Sequence, residues 1–257
     1  MKIARFSHAG TLSFGILDED EREWVVLAGD PMYAGYDTTG ERVKLADATL
    51  LAPVLPRSKV IGIGRNYREH AEEMGSEPPA EPLMFLKPNT SVIGPDDAIV
   101  LPPQSERVEH EGELVAVIGR IAKDVSPQNA LDYVFGYTAG NDVTARDLQR
   151  KDGQWARGKG FDTFCPLGPV IETEFDAASA TIETRVNGDA RQSGRISDLM
   201  HGIPELVAYA SSVWTLLPGD VIMTGTPAGV GPLTAGDRVD VTVSGIGTLS
   251  NPVRTKG

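Results

Sequence analysis

The sequence predicts a β-rich α+β fold, a roll or sandwich of short strands preceded by a small N-terminal β domain. Three observations carry this. Short apolar runs recur along the 257-residue chain, bounded by turns that draw on its 28 glycines and 18 prolines. Few segments show the helical spacing of apolar residues. No strand–helix–strand rhythm repeats, which argues against a doubly wound parallel sheet. A hydrophobic content of 40% is enough for a substantial core.

Residues 1–56 hold three candidate strands, Lys2–Phe6, Leu12–Leu17 and Trp24–Leu27, parted by Ala9-Gly10 and the acidic turn Asp18-Glu19-Asp20-Glu21. The prolines of Ala52-Pro53-Val54-Leu55-Pro56 mark a linker, so the boundary is placed at residue 56, with a second domain over 57–257. That domain opens on a buried strand, Lys59–Gly64. Arg65–Gly75 reads as a helix closed by Gly75. Ser76–Pro82 is a proline-rich loop, and the glycine and prolines here predict a lid over residues 65–82. Leu83–Lys87, Ser91–Ile93 and Ile99–Leu101 read as strands. The stretch Val108–Gly119 begins charged and ends apolar, as a strand running into a core does. Ser126 is an N-cap with Pro127 at the first helical position. Val134–Ala139 is a strand that delivers Asn141 and Asp142, and Asp142 is placed to cap a helix over Thr144–Lys151. Asn187-Gly188-Asp189 joins Thr181–Val186 to Ala190–Gln192 as a hairpin. Leu206, Val207, Ala210 and Val213 give Ile203–Leu216 a helical stripe. Asp220–Met223 and Arg238–Val243 are the last predicted strands.

The formal net charge of −12 argues against nucleic acid and anionic membranes as partners, since both need a basic surface. No apolar run approaches the roughly 20 residues that span a bilayer. Met1–His8 lacks the apolar segment of a signal peptide, so a cytoplasmic protein is expected. Cys165 is the sole cysteine, which leaves no internal disulfide. A small buried hydrophobe is expected of it rather than a nucleophile.

Several familiar motifs fail. Gly62-x-Gly64 lacks the third glycine of a dinucleotide fingerprint, because Tyr67 stands there. There is no G-x-S-x-G, no H-E-x-x-H and no P-loop. What remains is a set of carboxylates. Glu111 and Glu113, two apart, point to one face of a strand, where they repel unless solvated, sharing a proton or holding a cation. With Asp142 they form an all-oxygen set suited to Mg²⁺, Mn²⁺ or Ca²⁺; spacing alone leaves three solvated acids open. His70 and Glu73 share a helix face at i and i+3, either as a tuned imidazole or as an ordinary surface pair. Arg146 and Gln149 repeat that spacing after Asp142 and offer a guanidinium and an amide to a carboxylate, or to water. Lys159, in a glycine-flanked loop, is a surface lysine or a cation beside a developing enolate. The loop Thr224–Pro232, with Gly225 and Thr226, presents backbone N–H groups at a strand end, either as an anion cradle or as a plain turn.

Together these stretches resemble the fumarylacetoacetate hydrolase family. The carriers are Gly64-Arg65-Asn66-Tyr67 with His70 and Glu73, Phe85-Leu86-Lys87-Pro88, His110-Glu111-x-Glu113-Leu114, Asp142-Val143-Thr144-Ala145-Arg146-Asp147-Leu148-Gln149, Lys159, and Gly219–Pro227. The resemblance spans about Lys59 to Val253. It implies the family's mixed-β fold and a divalent metal held by Glu111, Glu113 and Asp142. It also implies a His70–Glu73 catalytic dyad, with Arg146, Gln149, Lys159, Gly225 and Thr226 around the substrate, and a homodimer. His110 is expected to support the site rather than ligate.

The expected substrate is a small 2-oxo acid with a second carbonyl or carboxylate. Its carboxylate and 2-oxo oxygen would chelate the metal, and His70 would activate water against the distal carbonyl, leaving an enolate stabilised by the metal and Lys159. Decarboxylation needs the same enolate without the water, and isomerisation needs only proton shuttling. Carbon–carbon hydrolysis or decarboxylation, of the acylpyruvate or oxaloacetate type, is placed ahead of isomerisation of a 2-hydroxyhepta-2,4-diene-1,7-dioate. A reading of another class is a silent 2-oxo-acid binding protein, against which the intact His70 and Glu73 count.

Overall fold

The run Leu114-Val115-Ala116-Val117-Ile118 has no polar residue to place on a wet face, and the strand Gly112–Ile118 is accordingly buried at every position. The computed structural model, which describes residues 1–75 and 77–256, builds the largest sheet outward from this strand. Val134–Asn141 pairs with it antiparallel on one side, Gly112 opposite Asn141 and Leu114 opposite Ala139. Val221–Met223 pairs antiparallel on the other, Val115 opposite Met223. Beyond Val221–Met223 the sheet continues through Val60–Gly64 to Leu83–Lys87. In the other direction it passes through Cys165–Glu172 to Lys2–His8, Thr11–Asp18, Glu23–Leu27 and Thr38–Lys44. The N-terminal strands thus extend the same sheet, with Lys2 opposite Glu172.

A second sheet runs in the order Asp189–Arg195, Thr181–Val186, Arg238–Val243, Gly247–Thr255, Ile99–Leu101. Its Thr181–Val186 strand alternates, with Ile182, Thr184 and Val186 inward. Leu114 and Ala139 of the first sheet share a core with Ile182, Val241, Val243 and Leu249 of the second. The helix Ile203–Val213 adds Leu206, Val207 and Ala210 to that core. A small third sheet joins Thr144–Ala145, Val108–His110 and Gly231–Pro232. The fold is β-rich, with several sheets and few helices, as its strand-dense sequence requires.

The details depart from expectation where side chains capture the backbone. The helix expected over Arg65–Gly75 covers only Arg68–Glu73. Arg65 sits in the left-handed region at φ +57°, and Tyr67 is extended, so no helix can start before Arg68. Gly75, at φ +66°, does follow the helix end. Ser76, part of the expected lid, lies outside the described residues. Asp142 caps no helix: Thr144–Ala145 is a strand, and the helix begins at Arg146 with no side-chain cap. The Asp142 carboxylate meets two lysines instead. Ser126 precedes a 3₁₀ helix, Pro127–Tyr133, without a side-chain capping bond. Lys159 ends a short helix, Ala156–Lys159, rather than lying in a loop. Three long strands are not foreseen from the sequence, Thr38–Lys44, Cys165–Glu172 and Gly247–Thr255, the first because its outward face is almost wholly polar. Asn187 and Gly188, at φ +55° and +86°, make the two-residue turn that the hairpin signal required. Gly62 owes nothing to nucleotide binding: a Cβ there would lie 2.2 Å from the Phe85 ring.

Cys165 is fully buried beside Met223, with 3.8 Å between their sulfurs, and burial pushes its thiol up to about 12. The folded protein is therefore expected to leave Cys165 unreacted with a disulfide dye at pH 8, and to release one thiol equivalent only in denaturant. Stoichiometric reaction of the folded protein would overturn this assignment.

Candidate metal centre and active site

Three segments bring the carboxylates together. The predicted continuous strand is interrupted at Glu111, between Val108–His110 and Gly112–Ile118. At this break the Glu111 N–H donates to Asn141 Oδ1 at 2.9 Å, and the Asp142 N–H donates to the Glu111 carbonyl at 2.8 Å. The end of the neighbouring strand is thereby pinned beside Glu111. Glu111, Glu113 and Asp142, all buried, place one carboxylate oxygen each within 4.8 Å of one another.

Buried carboxylates at this spacing need compensation, and the chain supplies most of it. Lys159 Nζ bridges Glu111 Oε2 at 2.5 Å and Asp142 Oδ2 at 2.6 Å. Lys87, itself buried, pairs with Asp142 Oδ1. Arg146 donates from Nε to Glu109 Oε2 at 2.6 Å, from Nη1 to Gln149 Oε1 at 2.7 Å, and from Nη2 to Glu111. Burial alone would raise the Glu111 carboxyl, but Lys159 and then Arg146 outweigh it and hold it well below the usual range. Glu113 goes the other way: burial, then Asp142 and Glu111, push it well above that range. Its only hydrogen-bond donor among the described residues is the Gly225 N–H, 2.8 Å from Oε2.

Three carboxylates against two ammonium groups leave one carboxylate without a cationic partner, and that one is Glu113, which burial and its acidic neighbours push towards the protonated form. This donor set fits a divalent cation. It is all oxygen, it is buried, and it contains a carboxylate whose proton a metal would replace. Glu111, Glu113 and Asp142 are the residues that would hold the ion.

His70, with Glu73 beside it, stands by the triad. His70 Nδ1 lies 3.2 Å from Glu73 Oε2, and Gly229 N–H donates to both Glu73 oxygens, at 3.1 and 3.3 Å. The carboxylate is thus fixed from the glycine-rich loop, and it in turn fixes the imidazole. A cavity of about 290 Å³ has His70, Glu111, Glu113, Lys159 and Thr226 on its walls. Gly225, at φ +107°, is the residue its position demands, since a Cβ would come 2.7 Å from the Asn66 Cβ. Its N–H serves Glu113. Thr226 Oγ1 donates to the Gly112 carbonyl at 2.7 Å and accepts from Gln192 Nε2 at 2.7 Å. Arg146 and Gln149 line the cavity, but their polar ends are bonded to each other and to Glu109 and Glu111.

Sequence reasoning gave no role to four residues that complete this arrangement. Glu109 anchors Arg146; the three glutamates at 109, 111 and 113 share one parity, which is the signal that could have found it. Lys87, within Phe85-Leu86-Lys87-Pro88, neutralises Asp142 from the end of the strand Leu83–Lys87. Asn66, fully buried, donates from Nδ2 to the carbonyls of His201 and Thr224 at 3.0 and 2.8 Å and accepts the His201 N–H at 2.8 Å. It ties the dyad's approach to the metal-side loop. Gln192 Oε1 accepts from the Gly112 N–H at 2.9 Å and from His110 Nδ1 at 3.1 Å. That leaves His110 a neutral supporting residue, its proton affinity lowered chiefly by burial.

A fold and a site of this kind define a class. The chain matches the family model described as fumarylacetoacetate (FAA) hydrolase C-terminal over residues 59–254, and the model described as Rv2993c-like, N-terminal, over residues 1–53. It belongs to the fumarylacetoacetate hydrolase family. Among its relatives, it is 44% identical over 223 aligned residues to oxaloacetate tautomerase YisK of Bacillus subtilis, covering 81% of this chain and 74% of that one. It superposes with a TM-score of 0.93 and 50% identity on the 5-carboxymethyl-2-hydroxymuconate delta-isomerase of Mycobacterium smegmatis, over 100% of both chains. It superposes with a TM-score of 0.74 and 36% identity on the fumarylpyruvate hydrolase of Pseudomonas aeruginosa in complex with Mn²⁺ and pyruvate, covering 81% of this chain and 92% of that one. Among the described residues, no helix is long and apolar enough to cross a membrane.

Arg146→Ala would strand Glu109 and Glu111 as buried, half-paired charges, and is expected to cost about 3–5 kcal/mol of stability. Urea denaturation measures this. A variant of unchanged stability with only a raised KM would mean that Arg146 is a substrate contact alone.

Proposed function

We propose that this chain is a divalent-metal-dependent enzyme acting on 2-oxo and 2-enol acids, with keto–enol tautomerisation of an oxaloacetate-type acid as its reaction. The observation that carries the reading is a single cavity that joins an all-carboxylate cation site to an imidazole oriented through Nδ1 by Glu73. The oxygen donors favour Mg²⁺ or Mn²⁺. When bound, such an ion supplies Lewis-acid polarisation of a 2-oxo oxygen, which acidifies the neighbouring C–H.

The chain's own residues do the rest. Glu73, held by Gly229, keeps the Nδ1 proton on His70 and frees Nε2 as the base. His70 takes the C3 proton of the keto acid at Nε2 and, as imidazolium, delivers it to the C2 oxygen to give the enol; the reverse reaction carries the same proton from the enol oxygen back to C3. Lys159 supplies N–H groups to the oxygen that gains charge. Lys87 and Arg146 hold the acidic groups in place around it. The relative named oxaloacetate tautomerase and the neighbour named as a delta-isomerase support proton transfer as the reaction. Carbon–carbon hydrolysis is the second reading. It uses the same His70 with a water beside it, for which a 290 Å³ cavity has room, and the neighbour named fumarylpyruvate hydrolase favours it.

Two variants test the reading. His70→Asn is expected to lower the rate of enol-to-keto conversion of oxaloacetate by about 10²–10⁴-fold while Mn²⁺ binding is retained. Glu111→Ala is expected to lose both metal binding and turnover. Loss of enol absorbance, followed in parallel with release of pyruvate and CO₂, separates tautomerisation from cleavage. A His70→Asn enzyme at the wild-type rate would remove the assigned base.

A further inference from the structure

We propose that Arg65 and Arg150 clamp the distal carboxylate of the substrate and so set the preference for a 2-oxo diacid over a monoacid; this rests on the reading of the site as an enzyme of oxaloacetate-type acids. The argument starts from an asymmetry among the four cations that line the cavity, Arg65, Arg146, Arg150 and Lys159. Arg146 and Lys159 are buried, and their donors are engaged by Glu109, Glu111, Asp142 and Gln149. Neither can turn to a distal group without leaving a buried carboxylate unpaired. Arg65 and Arg150 have no carboxylate partner among the described residues. Arg65 lies over the Trp155 ring, 5.8 Å from its centroid, and Arg150 is exposed at the cavity wall. In a chain with 36 acidic residues against 24 basic ones, two guanidinium groups without a carboxylate partner among the described residues, both lining one cavity, point to an anion from outside.

The backbone holds one of them there at a cost. Arg65 is a non-glycine residue at φ +57°, a conformation that persists only where neighbours over-determine it. Asn66 does so, through three side-chain bonds to residues 201 and 224 and a bond from the Met200 N–H to its carbonyl at 2.9 Å. Trp155 makes a fixed floor, packed edge-on against Phe85 at 5.4 Å. Arg150 lies four residues beyond Arg146 on the helix Arg146–Asp152, so it faces the same side about 6 Å further from the metal end. That offset is comparable to the span of a short diacid.

Charge balance agrees. With a divalent ion on three carboxylates and two lysines beside them, one positive charge remains, which one carboxylate neutralises. A second carboxylate has only Arg65 and Arg150 to meet it, and their planar forks suit it.

The test compares oxaloacetate with its 4-methyl ester, which keeps the reacting end and masks the distal charge. The wild type is expected to prefer the diacid. Arg65→Gln and Arg150→Gln should each raise KM for oxaloacetate by about tenfold, with kcat within about twofold and the ester unaffected. Arg150→Lys should fall between, and the double variant should show no preference. Equal losses on both substrates, or an unchanged KM for oxaloacetate, would overturn the clamp. Turnover of neither substrate by the wild type would remove the proposed reaction, and calorimetry then judges the clamp by itself. Malate binding more tightly than its 4-methyl ester in the presence of Mn²⁺, with the difference lost in the double variant, sustains it; equal binding by the wild type sinks it.

Discussion

A row of alternating charges buried in protein governs this structure: Glu109, Arg146, Glu111, Lys159, Asp142, Lys87, each paired with the next. Buried ions repay their desolvation only with close geometry and every donor used. The row supplies a close cation for each of its carboxylates and leaves Glu113 without one, the carboxylate that burial and its acidic neighbours drive towards the protonated form. A divalent cation answers the same imbalance that the proton answers. The site's fitness for a metal and its rigidity therefore have one cause.

The row dictates how the sheets must meet. Its members come from the strand Val108–His110, the break at Glu111, the end of Val134–Asn141, the strand Leu83–Lys87 and the helices at Arg146 and Lys159. Uncharged side chains fix the joints between them. Gln192 ties the second sheet to Gly112 and Thr226, and Asn66 ties the segment before His70 to Thr224. The His70–Glu73 pair and the carboxylate triad are thus parts of one hydrogen-bonded frame, although His70 and Glu111 lie far apart in sequence.

The pattern of apolar runs and turns made the strand-rich architecture legible, including the doubly buried Gly112–Ile118 and the hairpin at Asn187-Gly188. The carboxylate set at 111, 113 and 142 was legible because acidic side chains are unusual next to a buried strand. What was illegible was local capture of the backbone. Asp142 has the composition of a helix cap, but two lysines from distant segments claim its carboxylate. Arg65 has the propensity to extend a helix, but the bonds of Asn66 hold it left-handed. Thr38–Lys44 reads as polar loop because pairing with Glu23–Leu27, not burial, makes it a strand.

By itself the sequence determined the fold class, the acidic triad and the His70–Glu73 pair, because each depends on residue type and short spacing. Only the tertiary structure decided which cations serve the protein and which remain for a ligand. Arg146 and Arg150 are one helical turn apart and chemically identical. One is buried between Glu109 and Glu111, and the other stands unpaired at the cavity wall with Arg65. That difference arises from partners supplied by remote strands, and no local pattern encodes it.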